Sequence, residues 1–265
     1  MHRSMFLIAS ALLAVACSKP AENKAPQLEG RWIDLTHALA EDNVFWPTAE
    51  GFEHEVASYG QTPGGWFYSS YNIKLSEHGG THLDAPIHFA AGKQTADKIP
   101  LERLIGPATV IDVKAASQAD RDYRFTVADL ENWERQHGRL PDGAIVLFNT
   151  GSSKLWPDRK AYMGTDERGP GAVAKLHFPG LSEELARFLV ERRKVAAVGL
   201  DTPSLDYGQS KDFIAHRILL GANIPGFENV TELDQLPANG ATVVALPVKI
   251  RDGSGGPLRI VALVP

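Results

Sequence analysis

Apolar residues recur along this chain with two different periods. The short runs Trp32–Thr36, Tyr71–Ser76, Ala108–Val113, Ala144–Phe148, Val195–Leu200, Thr242–Leu246 and Arg259–Val264 have the length and aliphatic content of strands. Thr126–Gln136 and Ser182–Arg193 carry the helical period, and each opens on a hydroxyl residue able to cap the first turn. Acidic residues follow Ser182, which suits the positive end of a helix. Asp212–Leu220 also reads as helical. This mixture predicts a single α/β domain with a largely buried sheet. Asn149–Phe178 is rich in Gly, Pro and charge and reads as a long loop over the surface or the site. From Trp32 onward there is no evident repeat.

Composition adds two constraints. A net charge of −5 over 265 residues offers no basic field to a phosphate backbone, so no nucleic-acid partner is expected. The single cysteine, Cys17, closes an apolar run (5–16) that follows a short positive start and is too short to span a bilayer as a helix. Small residues precede Cys17 and a polar, proline-containing stretch follows it. This resembles a bacterial lipoprotein signal in which Cys17 is lipidated and becomes the mature N-terminus. The alternative is an ordinary secretory signal cut near Ala16. Either reading exports the protein, to the periplasm or to a membrane that it touches only through its N-terminal lipid. The expected organisation is therefore a signal over 1–17, a tether over 18–29 and a catalytic domain over 30–265.

Candidate chemistry gathers in one segment. His78, His82, Asp84 and His88 lie within eleven residues, all at even positions. On an extended segment they would share one face, because side chains alternate along a strand. Gly79-Gly80 permits a bend after the first histidine, and Pro86 argues against a regular helix. Two imidazoles and a carboxylate suit Zn²⁺, Mn²⁺ or Fe²⁺ and leave coordination positions open for water.

The segment HGGTHLDAPIHF resembles the H-x-G-T-H-x-D-x-P-x-H-F motif of the cyclase family of metal hydrolases, which includes bacterial kynurenine formamidases and isatin hydrolases. Ile33-Asp34-Leu35-Thr36 with Trp46-Pro47, His177-Phe178-Pro179-Gly180, Gly199–Ser204, His216 with Leu219-Leu220-Gly221, and Glu228-Asn229 resemble further landmarks of that family. The resemblance implies a mixed or barrel-like β core flanked by helices, of the swivelling β/β/α type. It implies a first metal on His78, His82 and Asp84, and a second that shares Asp84 and adds His216 and Glu228. The cofactor would be Zn²⁺ or Mn²⁺, one or two ions per chain. His88 matches the family's proton-transfer histidine, and Trp46 a substrate-contacting tryptophan. Phe45 and Tyr207 are further candidates for the substrate pocket. A homodimer or homotetramer is also implied.

The expected reaction is hydrolysis of a small aromatic amide or cyclic amide by metal-activated water, with His88 passing a proton to the departing nitrogen. The family's Trp-Pro is commonly followed by Gly-Asp, whereas here Pro47 is followed by Thr48-Ala49, so N-formylkynurenine is not the assumed substrate. A lactone or cyclic imide on the same centre is the alternative. A solute- or metal-binding lipoprotein is a second, against which His88 stands as a residue beyond the ligand set. No G-x-S-x-G occurs, which disfavours a serine hydrolase.

Overall fold

The computed structural model describes residues 29–265. The signal, Cys17 and most of the tether lie outside the described residues. Among the described residues twelve strands are formed: β1 (Arg31–Asp34), β2 (Glu53–Gln61), β3 (Phe67–Lys74), β4 (His82–Asp84), β5 (Ile105–Asp112), β6 (Arg124–Phe125), β7 (Ile145–Asn149), β8 (Gly180–Leu181), β9 (Ala197–Leu200), β10 (Gly226–Glu228), β11 (Thr242–Pro247) and β12 (Gly255–Val264). Five helices join them: α1 (Lys114–Ala119), α2 (Val127–His137), α3 (Arg159–Met163), α4 (Glu183–Arg192) and α5 (Ile214–Gly221).

The main sheet runs β1-β12-β11-β5-β7-β9-β10-β4, and β4 pairs back onto β12. Seven strands thus close into a mixed barrel, with β1 added along the outer edge of β12. The expected barrel-like α/β core is borne out. Strands β5, β7 and β9 are parallel neighbours, and β10 extends that order before β4 turns antiparallel.

Strand alternation divides the apolar residues between two cores. On β7, Ile145 and Leu147 point into the barrel, where they meet Leu83, Phe227, Val243 and Ile260. Val146 and Phe148 point outward, where α2, α4 and α5 cover them with Leu130, Leu185, Leu189 and Leu219. Such two-sided burial explains the continuous apolar runs of the sequence.

The helices α2 and α4 begin as predicted. Thr126 Oγ1 accepts from the Asp129 amide and the Asp129 carboxylate accepts from the Thr126 amide, a reciprocal cap. Ser182 Oγ accepts from the Leu185 amide. The stretch read as a loop over Asn149–Phe178 contains α3 and two 3₁₀ turns. It buries Tyr162, Met163, Leu176 and Phe178 against Val44, with Trp46 packed alongside.

The sequence reading missed β2. With β3 it forms a two-stranded ribbon separate from the main sheet. Among the described residues no helix is long and apolar enough to cross a membrane.

Candidate metal centre

The site lies on the outer wall of the barrel where β4 meets β10. Leu83 and Phe227 are register partners and both belong to the barrel interior. Alternation therefore turns the flanking residues outward: His82 and Asp84 from β4, and Glu228 from β10, opposite His82. Helix α5 lies over this wall and supplies His216. All four side chains are almost wholly buried.

The segment His78 to His88 is extended only in part, and it bends where Gly79-Gly80 allowed. The strand covers only His82–Asp84. Before it the chain bends at Gly80, whose φ is +61°, and after it Pro86–His88 forms a 3₁₀ turn. The bend brings His78 back onto Asp84, and the turn stacks the His88 ring on His78 at 3.8 Å. Gly79 has a separate reason. A Cβ there would fall 1.9 Å from a ring carbon of Phe45.

Asp84 is the centre of the cluster. Its Oδ1 lies 2.6 Å from His78 Nδ1 and 3.3 Å from His82 Nε2. Its Oδ2 lies 3.1 Å from His216 Nε2. Glu228 Oε1 is 3.1 Å from the same His216 nitrogen, and Oε2 is 3.4 Å from His82 Nε2. Two donor triads result, His78/His82/Asp84 and Asp84/His216/Glu228, sharing Asp84. These are the two triads that the family resemblance implied.

Hydrogen bonding on the far side of two rings decides what their inner nitrogens offer. His82 Nδ1 donates to the Gly80 carbonyl at 3.0 Å. His216 Nδ1 donates to Asp206 Oδ2 at 2.7 Å, and Asp206 is itself held by the amides of Ala215 and His216. Each Nε2 is then left with a lone pair directed at carboxylates, and His82 Nε2 is buried with no hydrogen-bond partner. A lone pair facing an anion is repulsive unless a cation stands between them. Backing a ligand imidazole with a carbonyl or carboxylate is also how metal-binding histidines are oriented. The donor set therefore fits a divalent ion.

The proton affinities carry the same message. Burial disfavours the charged form of His216, but Asp206, Asp84 and Glu228 outweigh it and hold its pKa well above the usual imidazole value. Burial likewise opposes protonation of His82, yet Asp84 and Glu228 bring it up to about 9. Burial and the neighbouring Asp84 charge push Glu228 up. Two buried carboxylates this close demand positive charge, from protons or from a metal.

His88 belongs to neither triad. Burial pushes its imidazole down to about 4, so it is neutral at pH 7 and free to accept a proton. It lines a cavity of about 320 Å³ whose walls include Val44, Trp46, Phe89, Pro203 and Phe213 and whose floor is the cluster. Trp46 lines this cavity and packs edge-on to Phe178.

Two of the suggested pocket residues are elsewhere. Phe45 is buried beneath Gly79, to which its backbone bridges, and supports the bend instead of facing the cavity. Tyr207 lies in a different surface cleft with Asp120, Asp122 and Arg124, whose guanidinium sits 5.4 Å over its ring. Phe89 and Phe213, which do face the cavity, were missed. Phe89 closes the histidine motif and Phe213 precedes α5, so proximity in sequence to ligand residues was the available signal.

A buried two-triad donor set beneath an apolar cavity defines a divalent-metal hydrolytic centre. The family described as Putative cyclase matches residues 33–207. An isatin hydrolase from Roseibium aggregatum is 35% identical over 220 residues, covering 80% of each chain. A kynurenine formamidase from Salinibacter ruber is 31% identical over 232 residues, covering 86% of this chain and 95% of its own. Among solved structures, isatin hydrolase A from Ralstonia solanacearum superposes with a TM-score of 0.79 at 35% identity, covering 89% of this chain and 92% of the other. An isatin hydrolase bound to the product analogue thioisatinate gives 0.79 at 31% identity, covering 88% and 92%. The chain belongs to the cyclase family of metal-dependent hydrolases.

Proposed function

We propose that this enzyme hydrolyses the C–N bond of a small aromatic cyclic amide of the isatin type, with open-chain formanilides as slower substrates. The observation that carries the proposal is the pair of triads sharing Asp84 beneath the aromatic cavity. A volume of about 320 Å³ suits a bicyclic ring system and sits at the small end of ligand pockets. The isatin hydrolase and formamidase relatives support the choice of bond.

His78, His82 and Asp84 would hold one ion, and His216 and Glu228 with Asp84 a second, either Zn²⁺ or Mn²⁺. Such an ion supplies Lewis acidity and lowers the pKa of water to about 7. Trp46, Phe89 and Phe213 hold the aromatic ring and exclude bulk water from the floor. His88, neutral and within the cavity, takes a proton during attack and returns it to the departing nitrogen.

The test is a substrate panel of isatin, formanilides, a dienelactone and a cyclic imide, with elemental analysis of the protein. Isatin is expected to give the highest kcat/KM, abolished by a chelator and restored by Zn²⁺ or Mn²⁺, with two ions per chain. Turnover confined to the lactone or imide would move the proposal to a C–O or imide bond. Absence of any metal-dependent turnover would overturn it.

We also propose a homo-oligomer assembled through the β2–β3 ribbon. The cross-strand pairs His54/Ile73, Val56/Tyr71, Tyr59/Ser69 and Gln61/Phe67 alternate with Glu53/Lys74, Glu55/Asn72, Ser58/Ser70 and Gly60/Tyr68. The first face gathers Val56, Tyr59, Phe67, Tyr71 and Ile73, and the second is polar apart from Tyr68. Val56, Tyr59, Phe67 and Ile73 are each more than half exposed. An isolated two-stranded ribbon is marginal in water. Its apolar face offers on the order of 600 Å² per copy, enough for a two-fold contact near the lower limit of stable interfaces. Val56→Asp with Tyr59→Asp is expected to halve the mass measured by light scattering. An unchanged mass, or a wild-type monomer, would remove this reading.

Export as a lipid-anchored protein is proposed from Met5–Cys17 alone. It suits an enzyme acting on an environmental amide, and recovery of the mature protein in the cytosolic fraction would remove it.

A further inference from the structure

His78 differs from the other two cluster histidines in which nitrogen faces the carboxylates. His82 and His216 present Nε2, whereas His78 presents Nδ1, 2.6 Å from Asp84 Oδ1. Its Nε2 points away, 2.8 Å from Ser254 Oγ. Ser254 in turn is bound twice by one carboxylate oxygen. Its amide lies 2.8 Å and its hydroxyl 2.7 Å from Glu77 Oε2, and both donate.

The direction of these bonds follows from donor counts. A carboxylate only accepts, so the single hydroxyl hydrogen of Ser254 goes to Glu77. The Ser254 oxygen is then left as an acceptor for His78 Nε2–H. The proton on Nε2 makes Nδ1 the nitrogen with the lone pair. Backbone packing fixes the relay in place. The Ser254 carbonyl accepts from the Ala85 amide, and the next residue, Gly255, is the register partner of Asp84 itself. A Cβ on Gly255 would fall 2.6 Å from His78 Cε1, so only glycine lets β12 approach the ring this closely.

We propose that Glu77 and Ser254 form a positioning relay that locks His78 in the tautomer protonated on Nε2 and so presents Nδ1 to the metal. Neither residue touches substrate. Both act through His78. The inference rests on the metal reading of the cluster given above.

The test uses the full mature protein and Zn²⁺, with affinity measured by competition against a chromophoric chelator. Imidazole ¹⁵N spectra of labelled protein report the tautomer of His78. Ser254→Ala is expected to weaken Zn²⁺ binding by about 10–100-fold, the usual cost of losing a partner behind a ligand. It should also erase the Nε2–H tautomer signature of His78 while leaving the Nδ1–H signatures of His82 and His216. Ser254→Thr, which keeps the hydroxyl, should restore both. Glu77→Gln gives an independent reading. Its amide can donate to the Ser254 oxygen, which frees the hydroxyl hydrogen for His78 Nε2, so Nδ1 should gain the proton and affinity should fall. A folded Ser254→Ala or Glu77→Gln protein with wild-type affinity and an unchanged His78 tautomer would overturn the relay. Wild-type protein that binds no Zn²⁺ would instead overturn the metal reading.

Discussion

Asp84→Ala is expected to yield a protein that retains its fold but holds no metal and has lost activity by at least about 10³-fold, since a bound metal contributes several kcal/mol to the transition state. The size of the effect follows from Asp84 alone belonging to both triads. Its Oδ1 faces His78 and His82, and its Oδ2 faces His216. Any other single substitution leaves one triad intact, whereas this one leaves none. Three opposing imidazoles also push the Asp84 carboxyl well below the ordinary carboxylate range against the effect of burial, so it is anionic throughout the working pH range. Asp84→Asn provides the control for shape. It keeps the volume but removes the charge, and it too should be metal-poor. The barrel should tolerate both changes, because the Asp84 side chain lies outside the core that Leu83 and Phe227 help to fill. Elemental analysis after dialysis checks the outcome, with circular dichroism as the test of folding. A full complement of metal in the alanine variant would sink the assignment of the cluster.

Strands β5, β7 and β9 were legible because burial on both faces writes itself as a continuous apolar run, as in Ala144–Phe148, whereas β10 was not read. The ribbon was only half legible. Glu53–Gln61 is exposed along nearly its whole length, and the bulge between Val56 and Ser58 interrupts its alternation. The start of β12 was hidden for a different reason. The strand was read from Arg259 onward, yet Gly255-Gly256-Pro257, which lacks strand-forming side chains, pairs with Asp84-Leu83-His82 and closes the barrel. Small residues are required there because His78 and the β4 backbone leave no room for more. The glycines there report close packing, which composition alone does not distinguish from a loop.

The site divides in the same way. His82 and Asp84 were legible because a strand needs only alternation to place them on one face. His216 and Glu228, far along the chain, were visible only through resemblance to a family. Phe45 and Tyr207 could not be separated from Phe89 and Phe213, because an aromatic in a core and one in a pocket have the same sequence signature. The roles of Asp206, Glu77 and Ser254 were not legible at all. Asp206 reaches His216 Nδ1, Ser254 reaches His78 Nε2 and Glu77 acts through Ser254, contacts decided by a bend, a helix position and a closing strand.

His88→Ala is expected to keep the wild-type metal content and lose at least about 10²-fold in kcat, the low end for a general acid–base residue. The separation of the two effects is what the geometry implies. The His88 ring stacks on His78 at 3.8 Å with 19° between their planes, so it touches the donor cluster by its face and directs no nitrogen into either triad. Its burial keeps it neutral at pH 7, and once protonated it is a strong acid beside a poor leaving group. An amide nitrogen departs only after gaining a proton, so loss of this donor should weigh more on anilide-like substrates than on an activated ester. The ratio of the two rates in the variant is therefore more telling than either rate alone. Truncation also leaves room beside His78 for a small base, and added imidazole should recover part of the lost rate. Loss of metal in His88→Ala would make the residue a ligand. Equal losses on amide and activated ester, without rescue, would reduce it to a wall of the cavity.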